Sequence, residues 1–134
     1  VAGCSEGYPT GDAERIDPQG MSTAQRLAAM NRLGAEAPRG RRWQYRLEPE
    51  CTLVASPERL DASPRHVDLA RAGVTGTFDR AAGTHAVSVV PAEPSATSVA
   101  VFESPQWTDA SEMRSYVQVL VQACARKAPD RTAP

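Results

Sequence analysis

TDASEMRSYVQVLVQACARK, residues 108–127, is the stretch whose periodicity decides the architecture. Met113, Tyr116, Val117, Leu120, Val121 and Cys124 recur at the i, i+3, i+4, i+7 spacing of one helical face, which must lie against a second apolar layer. Thr108 or Asp109 can accept the free N–H groups of the first turn. Asp109 and Glu112 complement the positive end of the helix, and Arg126 and Lys127 the negative end. Pro129 ends the run.

Upstream of this helix the period changes to two. Trp43, Tyr45 and Leu47 alternate with Arg42, Gln44, Arg46 and Glu48, the pattern of a half-buried strand. Cys51, Leu53 and Ala55 continue the odd parity beyond Pro49, so either one strand bends there or two strands meet. Ser56 to Pro64 reads as a surface loop. Four more short runs follow: Val67 and Leu69 alternating with His66 and Asp68, Val74 and Phe78 around Gly76, Val87 and Val89 about Ser88, and Val99 to Phe102. Ala81-Ala82-Gly83 reads as a hairpin tip and Pro91 to Ala96 as a looser turn. Near the start, Ser22-Thr23-Ala24-Gln25 is a capping box that begins a helix. Leu27, Met30 and Leu33, beside Ala24 and Ala28, form its apolar side, and Gly34 supplies a left-handed stop. The expected fold is α+β: an N-terminal helix, an antiparallel meander of five or six strands, and a C-terminal helix packed on the sheet. Residues 21–128 form the domain, 1–20 a flexible tether, and 129–134 a disordered tail.

Composition narrows the function classes. With 134 residues, 41% hydrophobic and 23% charged, the chain suits one soluble globular domain. A net charge of -1 argues against nucleic-acid binding as the main task, which needs a positive surplus to displace counterions. No apolar run reaches the roughly 18 residues of a membrane-spanning helix.

The opening residues Val1-Ala2-Gly3-Cys4 resemble the lipobox of bacterial lipoproteins, an aliphatic residue and two small residues before the lipid-bearing cysteine. That resemblance implies that Val1 to Gly3 belong to a removed signal peptide and that Cys4 carries the acyl anchor. It also implies that Ser5, which is not Asp, directs the protein to the outer membrane, facing the periplasm. The polar stretch Ser5 to Gly20 suits a tether holding a domain off the membrane. The second half is similar to a pleckstrin-homology-type fold, with His66-Val67-Asp68-Leu69 and Trp107 at comparable places. This implies, as an alternative architecture, a barrel closed by the last helix.

Three cysteines leave one over after any disulfide. With Cys4 acylated, Cys51 and Cys124 are free to pair in an oxidising envelope. Both lie on inward-facing parity, so a bridge would clamp helix to sheet. The other reading is two reduced, buried thiols acting as small hydrophobes.

The remaining chemistry is sparse. Cys51, Cys124, His66 and His85 contain zinc-ligand atoms but no local ligand pair, so neither metal nor cofactor is expected. Ser63, His66 and Asp68 contain the atoms of a catalytic triad, yet strand geometry would direct them apart. Glu48 and Glu50 fall on a solvated parity, and Gly73-Val74-Thr75-Gly76 lacks the strand–loop–helix context of a phosphate cradle. Arg39, Arg41, Arg42 and Arg46, interleaved with Trp43 and Tyr45, form the one candidate binding stretch, for an envelope protein or a polyanion. The expectation is a membrane-anchored lipoprotein with a binding or scaffolding role and no enzymatic activity. The alternative is a small periplasmic hydrolytic enzyme, which a convergent polar pocket would favour.

Overall fold

A computed structural model describes residues 18–59 and 62–127. The lipobox, Cys4, the tether up to residue 17 and the tail 128–134 lie outside the described residues. The last tether residues, Pro18–Gly20, form a 3-10 turn. Gln19 donates to Gln122 near the end of the chain at 3.2 Å.

The first helix, α1, spans Thr23–Ala35 and opens with the expected capping box. The Ser22 N–H donates to Gln25 Oε1 at 2.7 Å and the Gln25 N–H donates to Ser22 Oγ at 3.1 Å. Met30 and Leu33 are buried with Ala29, whereas Ala24 and Ala28 are exposed, so the buried face is turned from the expected one. Gly34 is not a left-handed stop: it lies inside the helix, and Glu36 caps the end in right-handed geometry. Its role is close approach, because a Cβ at this position would overlap the Trp43 carbonyl oxygen.

Two strands do meet at Pro49. β1 (Trp43–Glu48) and β2 (Thr52–Pro57) are antiparallel, with Tyr45 opposite Ala55 and Leu47 opposite Leu53, so the odd parity is shared. Glu50 and Cys51 hold the connecting turn at φ 66 and 61, in the left-handed region. β2 runs on to Pro57, beyond the expected loop start, because Pro57 is buried opposite Trp43. β3 (Arg65–Asp68) pairs with β2 and completes a first three-stranded sheet.

The expected meander divides after β3. A turn at Leu69–Ala72, with Arg71 at φ 60, redirects the chain into a second three-stranded sheet. This sheet holds β4 (Gly73–Asp79), β5 (Thr84–Val90) and β6 (Val99–Ser104), all antiparallel, with a register shift at Val87/Ser88. The sheets do not close into the alternative barrel. Instead Tyr45 Oη donates to the Val101 carbonyl at 2.7 Å and Arg65 Nη1 to the Ala100 carbonyl at 2.7 Å, so side chains of the first sheet join β6 to it. The Arg65 guanidinium also stands 5.5 Å from the Trp43 ring centroid, a cation–π contact.

The second helix, α2, spans Trp107–Lys127 and starts one residue earlier than expected. Ser104 Oγ accepts the N–H of Gln106, the residue before the helix, at 3.0 Å, and the Gln106 carbonyl accepts the Ala110 N–H at 3.2 Å. Met113, Tyr116, Val117, Leu120 and Cys124 are buried as the periodicity predicts, and they join Met30, Trp43, Leu53, Val89 and Phe102 in one core. Cys51 and Cys124 form a disulfide with Cα atoms 6.0 Å apart, fixing the β1–β2 turn to α2.

Candidate functional site

The basic stretch is the candidate that sequence reasoning favoured, and the fold engages part of it in contacts of its own. Trp43 and Tyr45 are buried, so no aromatic face there is available for stacking. Arg46 is spent on Glu48 at 2.9 Å across an exposed face. Arg42 donates through Nε to the Ala37 carbonyl at 3.3 Å. Glu58 accepts from the Gly40 N–H at 2.9 Å and holds the loop, placing a carboxylate among the guanidiniums. Arg39 and Arg41 remain exposed beside it. A neighbouring cleft of about 310 Å³ includes Arg41 and Arg59, but Arg59 is paired with Glu103. Interleaved carboxylates make this edge a weak trap for a polyanion, since each cancels part of the positive potential.

A second region has more of the chemistry of recognition. β4 and β5 are each seven residues long and pair along their whole length as a hairpin. On the sheet face that covers the core, Gly76 lies opposite Val87 and Phe78 opposite His85. Val87 is buried, but one pair further on the core has ended, and Phe78 is 53% exposed. Its ring rests on His85, centroids 4.6 Å apart and planes tilted by 39°. Trp107, the first residue of α2, is 64% exposed beside them. Because residue 76 has no side chain, Arg114 can lie over the strand, its Nη1 3.7 Å from where a Cβ would stand. The result is a cleft of about 330 Å³ lined by Phe78, His85, Trp107, Ala110, Ser111 and Arg114.

Aromatic walls with one cation and a few hydrogen-bonding groups suit a flat or extended ligand that carries an acceptor or a negative group. They do not form a nucleophile–base pair: among the described residues no hydrogen bond joins Ser111, His85 or Arg114 to one another. His66 lies opposite Val54 on the outward parity of β3, and Asp68 uses Oδ1 to accept the Ala70 N–H at 2.9 Å. Among the described residues no group of His, Cys, Asp and Glu could hold a metal ion, and no helix is long and apolar enough to cross a membrane.

Sequence reasoning placed Phe78 and His85 on strands and Trp107 before the last helix, without joining them. Their parity predicts burial. Only the relative lengths of hairpin and helix overlay show that this face outruns its cover. The chain matches no protein-family model, no curated protein and no solved structure.

Proposed function

We propose that this chain is a lipid-anchored protein of the bacterial envelope, held to the outer membrane through Cys4 and facing the periplasm, with a binding or scaffolding role. One observation carries the reading. The Cys51–Cys124 bridge uses two of the three cysteines and leaves over the one that sits in the lipobox-like Val1-Ala2-Gly3-Cys4. A structural disulfide fits an oxidising compartment, and the remaining thiol is where an acyl group would be attached. Each buried methylene contributes about 0.8 kcal/mol, so several acyl chains would make the attachment effectively permanent. The binding role is assigned first to the cleft of Phe78, His85, Trp107 and Arg114, whose exposed aromatics have no structural need to be there. The Arg39 and Arg41 edge is a secondary contact for an envelope protein or polyanion. The role is non-enzymatic in this reading, because recognition asks only for complementary surface, whereas catalysis asks for groups that converge on a reacting atom.

The test is the intact mass of the protein expressed from its full gene in its native host. The expected product starts at Cys4 and carries the mass of a diacylglyceryl group and an amide-linked acyl chain. An unmodified Cys4 overturns the anchor.

A further inference from the structure

The second sheet has one side closed and one side open. At β6 the carbonyls of Ala100 and Val101 accept from Arg65 and Tyr45 of the first sheet. β4 pairs only with β5, and its other edge meets no strand or capping side chain among the described residues. Seven residues of extended backbone with an unpaired row of N–H and C=O groups form a template for another strand. The usual protections are missing from it: no proline, no lysine and no bulge interrupts residues 73–79.

The sequence of this edge is compatible with a second copy of itself. Residues 74–78 read VTGTF: apolar, Thr, Gly, Thr, apolar about Gly76. A two-fold antiparallel pairing sets residue i opposite j and j opposite i, and with the axis at Gly76 this sequence puts apolar opposite apolar and Thr opposite Thr, with no charge facing a like charge along residues 73–79. From this self-complementarity we infer that β4 pairs antiparallel with β4 of a second copy of this chain, about a two-fold axis at Gly76. Val74 then lies opposite Phe78 of the second copy on the core-facing side, an aliphatic–aromatic pair. Thr75 lies opposite Thr77 on the outer side, a β-branched pair. Gly76 meets Gly76 where the backbones are closest, and Asp79 comes beside the turn that carries Arg71. The two three-stranded sheets become one of six strands.

The exposed apolar surface includes one large side chain on the open strand itself. The large hydrophobics exposed among the described residues are Phe78, Val90 and Trp107. Phe78 is on β4, whereas Val90 is one strand in, on β5, and Trp107 borders the cleft beside Phe78 from the start of α2. The opposing contact is Arg114, which lies over Gly76 in each copy and brings two guanidiniums to one side of the axis. Both are exposed and can turn into water, where screening reduces their repulsion. The inference does not rest on the lipid anchor; Phe78 and Arg114, which line the cleft, also border this edge.

The experiment uses the full chain with Cys4→Ser as the common background, so that no Cys4 disulfide can imitate association. Mass is followed by light scattering over a dilution series. The parent should approach twice 14.3 kDa as concentration rises. Thr75→Lys with Thr77→Lys places lysines opposite lysines twice across the axis. It should weaken the dimer by about tenfold or more, with the monomer's circular dichroism unchanged because both residues are exposed. Thr75→Lys with Thr77→Glu places opposite charges across the axis twice and should restore the dimer, with added salt weakening it. A parent that stays monomeric at every concentration overturns the proposal and leaves the edge to a strand from a different protein. A dimer that survives the lysine pair, or one that the opposite-charge pair fails to restore while folding is retained, overturns the register and the interface with it.

Discussion

Gly34 and Gly76 each lie where a helix meets an outer strand, and they serve opposite ends. At β1 the backbone of α1 comes down onto Trp43 at Gly34, and three residues earlier the Asn31 amide completes the seal. Its Nδ2 donates to the Tyr45 carbonyl at 2.9 Å and its Oδ1 accepts the Tyr45 N–H at 2.7 Å, as the peptide of a neighbouring strand would. At β4 the absent side chain of Gly76 admits only the flexible end of Arg114, and the strand edge stays open. A sheet edge is a liability until something covers it. The β1 edge of the first sheet is closed from within the chain, and its turn is stapled by Cys51–Cys124; the β4 edge of the second is a surface suited to company. The rigid half and the half available for contact are therefore different parts of the molecule.

The largest effect that can break this contrast is loss of the staple. Cys51 and Cys124 are 73 residues apart, and closing a loop of that size stabilises by about 4 kcal/mol in chain-entropy terms. Cys124→Ser should cost up to that amount in urea unfolding and should abolish the protein's sensitivity to reductant. If reductant still lowers the melting temperature of the variant, the staple is not what holds the closed half.

The two glycines give a sharper comparison of the edges themselves. Gly34→Ala drives a methyl group into the Trp43 carbonyl, which is backbone and cannot swing aside, so about 2–3 kcal/mol should be lost. Gly76→Ala meets Arg114 at ordinary contact distance and should leave the monomer's stability within about 0.5 kcal/mol. Equal losses, measured as urea midpoints of both variants under monomeric conditions, would remove the distinction between a sealed edge and an open one.

The smallest effect concerns the hydroxyl that joins the sheets. Tyr45→Phe leaves the Val101 carbonyl without its donor and should cost about 1 kcal/mol at neutral pH. Burial raises the Tyr45 phenol well above its ordinary 10.0. Burial, reinforced by the hydrogen bond to and charge of Glu112 and opposed by Arg32, also raises Tyr116. In the window above the unfolded value the folded state keeps protons that the unfolded chain has released. Stability should therefore be complete below about pH 10 and fall as pH rises above it, by about 1.4 kcal/mol per pH unit for each such tyrosine. Tyr45→Phe should reduce that alkaline slope by one proton. An unchanged slope means that Tyr45 reaches water more readily than its place between the sheets implies.

Much of the fold was written in local patterns. The capping box at Ser22 and Gln25, the odd parity from Trp43 to Ala55, the hairpin tip before Thr84 and the apolar stripe from Met113 to Cys124 each depend on residues within a few positions of one another. Hydrogen-bond caps and the helical and strand periods act at that range, so the sequence alone determined the elements and the faces they bury. It also determined that Cys124 points inward. The place of Cys51 in the β1–β2 turn rather than on a strand, its approach to Cys124 at bonding distance, the division of the meander at Leu69–Ala72, and the exposure of Phe78 and Trp107 were not legible, nor were the contacts that engage Arg42 and Arg46. Those depend on where one element ends relative to another that is distant in the chain. A period of two says which side of β4 faces inward, but only the overlay of α2 decides how far along the strand there is still a core to face. The same overlay decides which edge is left without a partner, because the atoms that close β1 and β6 come from residues 14 to 56 positions away.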